Sequence, residues 1–146
     1  MNTMFNTLIL IVDQDVSFSN IAKAFLEEEG FNNVKIVNNC QQALNHCQNE
    51  TSFLIITEYQ LSNLNSKDFI DVIKETCKEP RYIVLSGSNK VSDSFKSIEN
   101  GALSYVKKDN IWKNRLLESV TGWLTYYTTL ETRTKDFNIR LQNITV

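Results

Sequence analysis

The sequence predicts an α/β fold, a doubly wound five-stranded parallel sheet, for which the common strand order is 2-1-3-4-5, with five helices, the last of them extended. Three observations predict it. Five short apolar runs alternate with stretches of helical period. The first and third runs are apolar almost without interruption, as parallel strands covered on both faces are. A chain of 146 residues, 42% of them hydrophobic, supplies one core rather than two.

The strands expected are Leu8–Val12, Val34–Val37, Phe53–Thr57 and residues 82–85 and 104–106. Phe18, Ile21, Ala22, Phe25 and Leu26 follow the spacing of one helix face, and Gly30 stands where such a helix turns left-handed to end. Ala43, Leu44 and Cys47 mark a second helix. Phe69, Val72, Ile73 and Thr76 mark a third, capped by Ser66, while Phe95 and Ile98 mark a fourth that ends at Gly101. The fifth begins near Trp112. In this strand order ligands bind beyond the carboxyl ends of the strands, at the switch between strands one and three.

Charge and cysteine content narrow the partners. A net charge of −2 gives no basic field for nucleic acid or an acidic membrane surface, so protein partners are expected. The run Leu8–Val12 is too short for a signal peptide or a span and reads as a buried strand. Cys40, Cys47 and Cys77 are odd in number, and the first two lie roughly 10 Å apart along a helix, too far to bridge. A reducing, cytoplasmic compartment follows as an expectation.

The strand ends carry the chemistry. Asp13, Gln14 and Asp15 follow strand one, Glu58 follows strand three, Ser86 strand four and Lys108 strand five. Each alone reads as a cap or a solvated loop residue; four strand ends delivering acids, a hydroxyl and an ammonium to one edge read as a site.

These residues lie in segments that resemble the receiver domains of two-component response regulators, over roughly residues 7–127. LILIVDQD is similar to the acidic first-strand motif, LIITEYQL to the phosphoacceptor strand, IVLSGS to the strand ending in Ser/Thr, and GALSYVKKD to the Gly-Ala-x-x-Tyr-x-x-Lys segment. The resemblance implies a flavodoxin-like fold in a cytoplasmic phosphorelay protein, with a histidine kinase or a downstream signalling protein as partner. It puts Asp13 and Gln14 in the places of the acidic pair that holds Mg²⁺, and Glu58 in that of the phosphoacceptor aspartate. Ser86 and Lys108 take the places of the hydroxyl and lysine that contact the phosphoryl group, and Tyr105 that of the switch aromatic.

The departures matter equally. Gln14 removes one charge from the metal cage, leaving Asp13 and Asp15 as metal candidates with weak or absent Mg²⁺ binding. Glu58 pushes its carboxylate about 1 Å outward, and a displacement of that size can cost ~100-fold in rate. The loop Leu61–Ser62–Asn63 lacks the family's proline, and Asp109 replaces the proline that follows the lysine. Two readings stay open: a pseudo-receiver in which Glu58 stands in for a phosphorylated aspartate, and a relaxed pocket in which Lys108 simply holds Glu58. A receiver still competent for Mg²⁺-dependent phosphorylation is an alternative. A small flavodoxin-like cofactor-binding enzyme is another, but Asp13-Gln14-Asp15 would repel a phosphate-bearing cofactor, and the lone His46 lies away from the strand ends. The expectation is a protein that is not an enzyme and needs no cofactor.

The receiver unit is expected over residues 1–127, and residues 128–146 as a continuation of helix five. Leu116, Val120, Trp123, Tyr127, Leu130, Thr134, Phe137, Leu141 and Ile144 alternate steps of three and four, the a and d positions of a dimer seam. Threonines along the same stretch weaken it as a helix and leave a frayed tail as the alternative.

Overall fold

Parallel strands buried on both faces need apolar side chains pointing both ways, and β1 (Leu8–Val12) supplies them. Leu8, Leu10 and Val12 enter one core cluster while Ile9 and Ile11 enter the other, all five buried. The computed structural model describes residues 3–50, 53–61, 64–77 and 79–144. Its main sheet contains β1, β2 (Val34–Val37), β3 (Phe53–Thr57), β4 (Tyr82–Ser86) and β5 (Ser104–Lys107), all parallel, in the order 2-1-3-4-5. A two-residue antiparallel pair, Gln60–Leu61 with Leu64–Asn65, sits beyond β3. Ser62 and Asn63, in the loop that lacks the proline, lie outside the described residues.

The helices are α1 (Val16–Glu28), α2 (Cys40–Gln48), α3 (Ser66–Lys74), α4 (Val91–Glu99) and α5 (Trp112–Ile144). Residues of α1 and α5 cover the face carrying Ile9, Ile11, Ile56 and Ile83, and residues of α2 and α3 cover the face carrying Leu10, Val12, Ile55 and Val84. Gly30 at φ 104° and Gly101 at φ 112° end α1 and α4 in the same way. Gly30 N–H donates to the Glu27 carbonyl and Phe31 N–H to that of Leu26, and the Gly101 and Ala102 amides repeat the pattern on Ile98 and Ser97.

Three expectations need correction. The cap of α3 is Asn65, whose side chain accepts the Asp68 N–H at 2.9 Å, and Ser66 is already the first helical residue. In α4, Phe95 and Ile98 face outward, and the buried residue is Ser97. Its hydroxyl is satisfied by the Asp93 carbonyl at 2.8 Å, so a small polar side chain can lie against the sheet without an unpaired donor.

The third concerns α5, whose 33 residues span roughly 50 Å. Leu116 and Val120, read as seam positions, are buried with Leu124 in the domain's own core, because the sheet face shared with α1 needs an apolar stripe at i, i+4 and i+8. Trp123 donates its indole N–H to Ser104 Oγ at 3.0 Å, and Tyr127 lies under the Arg81 guanidinium, 3.6 Å from the ring centroid. Only Leu130, Phe137 and Leu141 of the seam residues from Leu116 to Leu141 named above, with Thr134 between them, fall on the stretch of helix exposed to solvent.

Candidate functional site

Parallel register brings the functional side chains to one level. Val12 pairs with Thr57, and the next amide, Glu58 N–H, still donates to the Val12 carbonyl at 3.0 Å. Ser86 pairs with Lys107, and Lys108 N–H donates to the Ser86 carbonyl at 2.8 Å. Asp13, Glu58, Ser86 and Lys108 therefore emerge side by side at the carboxyl edge of the sheet.

Lys108 starts from the edge strand and crosses to the centre. Its ammonium lies 2.7 Å from Asp13 Oδ2 and 2.7 Å from Glu58 Oε2. It also sits 4.2 Å from the centroid of the Phe18 ring on α1, an aromatic face that favours a cation. The three charged side chains are between 8% and 16% exposed, so solvent screens their attraction only weakly. Burial lowers the Lys108 pKa, but hydrogen bonds and charge from Asp13 and Glu58 outweigh it and hold the ammonium above its ordinary range.

Glu58 is the most heavily engaged acid. Oε1 accepts the Ser86 hydroxyl at 2.5 Å and the Tyr59 N–H at 3.0 Å. Oε2 takes Lys108 and accepts the Gly87 N–H at 3.3 Å. The Ser86 bond is at the short end of charge-assisted hydroxyl–carboxylate bonds. Ser86 Oγ in turn accepts the Ser88 N–H at 3.1 Å, which ties the start of the β4–α4 loop to the carboxylate.

The other expected residues separate. Asp15 is an exposed N-cap of α1, its Oδ1 accepting the Phe18 N–H at 3.0 Å. Gln14 is exposed on the loop between them. Asp13 Oδ1 accepts the Asp15 N–H at 2.9 Å, so both Asp13 oxygens have donors. Tyr105 is half-buried, and its hydroxyl oxygen is enclosed with no hydrogen-bond partner among the described residues. Burying a phenol without a partner costs about 1–3 kcal/mol. Tyr105→Phe is accordingly expected to leave stability unchanged or raise it by up to about 1 kcal/mol, read by urea unfolding; a loss larger than that would mean the hydroxyl has a partner in solution.

Sequence reasoning did not single out the Gly87 and Tyr59 amides or the Phe18 ring. Backbone donors carry no residue signature, and Phe18 reads as an ordinary apolar position of α1. The glycine after Ser86 was the one available signal.

A family described as the response regulator receiver domain matches residues 9–121. Among curated proteins, a putative NtrX-like response regulator from Rickettsia bellii is 30% identical over 102 residues, which is 68% of this chain and 21% of the relative. The transcriptional regulatory protein ZraR of Escherichia coli is 25% identical over 103 residues, 70% of this chain and 23% of the relative. The chain thus spans about a fifth of the length of these relatives. A CheY-like receiver domain from Methanospirillum hungatei superposes with a TM-score of 0.72 at 24% identity, over 85% of this chain and 98% of that one, and so bears on the fold. With that family match over most of the chain, the strand order and the convergence of Asp13, Glu58, Ser86 and Lys108 at the carboxyl edge, the chain belongs to the response regulator receiver domain family.

Proposed function

We propose that this receiver domain signals as a pseudo-receiver, with the Glu58 carboxylate standing where a phosphorylated aspartate would stand. One observation carries the reading: Glu58 is bonded at once to the Ser86 hydroxyl, the Gly87 amide and the Lys108 ammonium. Ser86 and Lys108 are the two groups that family resemblance assigns to the phosphoryl group. A carboxylate one methylene longer than aspartate reaches both without phosphate. Through Ser86 and Ser88 the same bonds extend to the β4–α4 loop, the route by which the pocket biases the surface offered to a protein partner.

The donor set suits Mg²⁺ poorly. Mg²⁺ binds well to carboxylate oxygens in octahedral geometry, whereas Gln14 is neutral, Asp15 caps α1, and each oxygen of Asp13 and Glu58 has a donor from the chain. Among the described residues no group of three or more acidic, histidine or cysteine side chains is arranged to hold a metal. A histidine kinase would then be no obligatory input, and downstream proteins would read a conformation set by the chain itself.

The test is intact-mass spectrometry after treatment with acetyl phosphate and Mg²⁺. The expected spectrum is that of the untreated chain. A stable phosphoryl adduct mapped to Glu58 would restore a conventional phosphoacceptor and remove the pseudo-receiver reading.

A further inference from the structure

We infer that α5 beyond Tyr127 forms a parallel two-helix coiled coil with a second copy of this chain. The inference is independent of the chemistry at Glu58. It begins from exposure: every residue from Glu131 to Ile144 is exposed, and among them Phe137 is 60% and Ile144 76% accessible. Four threonines fall among residues 128–134, and threonine is a poor helix former. Most helical stability in proteins comes from packing of one face rather than from helix propensity. A helix of this composition extending beyond its domain needs a cover.

What covers it follows from pattern and charge. Leu130, Thr134, Phe137, Leu141 and Ile144 repeat steps of four and three, the spacing that one helix presents to another of the same kind. Thr134 fits the seam despite its hydroxyl, because Oγ1 donates to the Leu130 carbonyl at 3.0 Å and leaves the methyl for the partner. Covering the exposed apolar surface of this stretch on both copies removes on the order of 1,000 Å² from water, the lower bound of a specific interface.

Charge chooses the orientation. With Thr134 and Leu141 at a positions, Arg133 and Arg140 fall at g positions, and Glu131 and Asn138 at e. In a parallel pair, Arg133 meets the partner's Asn138. In an antiparallel pair centred on the same residues it meets the partner's Arg140, a like-charge contact. The root of the helix is already fixed, since Arg81 stacks on Tyr127 and lies 3.6 Å from Glu131. The tail therefore projects from the body in a set direction, and a parallel pair would place both receiver bodies at the same end.

The exposed face of α4, with Val91, Phe95 and Ile98, is the rival surface. Sedimentation of the full chain over a range of micromolar concentrations separates the two. The expected result is a wild-type dimer whose dissociation constant rises on the order of 100-fold in Phe137→Glu, where a carboxylate enters an apolar layer, with the thermal melt of the body retained. Phe95→Glu should remain dimeric. With an added oxidant such as copper phenanthroline in air, Thr134→Cys should form an intermolecular disulfide above the wild-type background, because only parallel helices bring the two a positions face to face. A wild-type monomer throughout, a dimer that survives Phe137→Glu, or one abolished by Phe95→Glu overturns the inference; failure of Thr134→Cys to cross-link within a dimer overturns the parallel orientation.

Discussion

Replacing Gln14 and Glu58 together by aspartate is expected to speed phosphoryl uptake from acetyl phosphate at least ~100-fold over the wild type. The chemistry is a displacement: a carboxylate oxygen bonds to phosphorus as the phosphorus–oxygen bond to acetate breaks and acetate leaves. Two things oppose it in the wild type. The Glu58 oxygens are bonded to Ser86 and Lys108, the two groups that family resemblance assigns to the phosphoryl oxygens. Without a second acidic charge at position 14, the phosphoryl group also meets one net negative charge, left by two carboxylates around one ammonium. Glu58→Asp retracts the acceptor from Ser86 and Lys108, and Gln14→Asp adds a carboxylate for Mg²⁺. Intact-mass time courses with and without Mg²⁺ measure the effect. Equal labelling of the double variant and the wild type would show that the pocket is limited elsewhere, with Asp109 and the loop at Leu61 the remaining departures.

The largest effect on stability is expected from Lys108→Met. It leaves the Asp13 and Glu58 carboxylates, both mostly buried, without the cation that lies 2.7 Å from each. Breaking a buried ionic cluster by removing one partner costs about 3 kcal/mol, and in a chain of this length that lowers Tm by roughly 6–12 °C. The pH dependence has a definite sign. The folded pKa of Lys108 is raised, because its hydrogen bonds to Asp13 and Glu58 outweigh the desolvation that lowers it. Its contribution is therefore fully present below the ordinary lysine value of about 10.4 and is lost as pH rises through the higher folded value. In Lys108→Met that alkaline loss disappears. Calorimetry from pH 7 to about 11 tests this, and equal Tm values for the two proteins at neutral pH would mean that the cluster is solvated in solution.

Much of this architecture was legible beforehand. The spacing of apolar runs placed β1, β2 and β3 at their observed bounds, and the chemical identity of each strand-end residue pointed to one edge of the sheet. Helix faces were less legible where a small residue does the packing. In α4, Phe95 and Ile98 carry the hydropathy signal, yet Ser97 is the residue that is buried. In α5 a single three-four repeat runs from Leu116 to Ile144, and nothing in its periodicity marks where the helix leaves its own core.

The sequence by itself determined the alternation of five strands with five helices, the positions of several helix ends and the set of polar groups that parallel register would assemble, because these follow from local periodicity and from the direction in which parallel strands run, and the order 2-1-3-4-5 is the common one for that alternation. Only the tertiary structure decided how those groups share their bonds. Lys108 crosses from the edge strand to Asp13 and Glu58, Asp15 turns away to cap α1, and the Gly87 amide joins the carboxylate; each of these depends on side-chain reach across strands distant in the chain. The same holds for α5, whose apolar stripe is core where the sheet lies beneath it and exposed surface where the sheet ends, since burial belongs to what stands opposite a residue rather than to the residue itself.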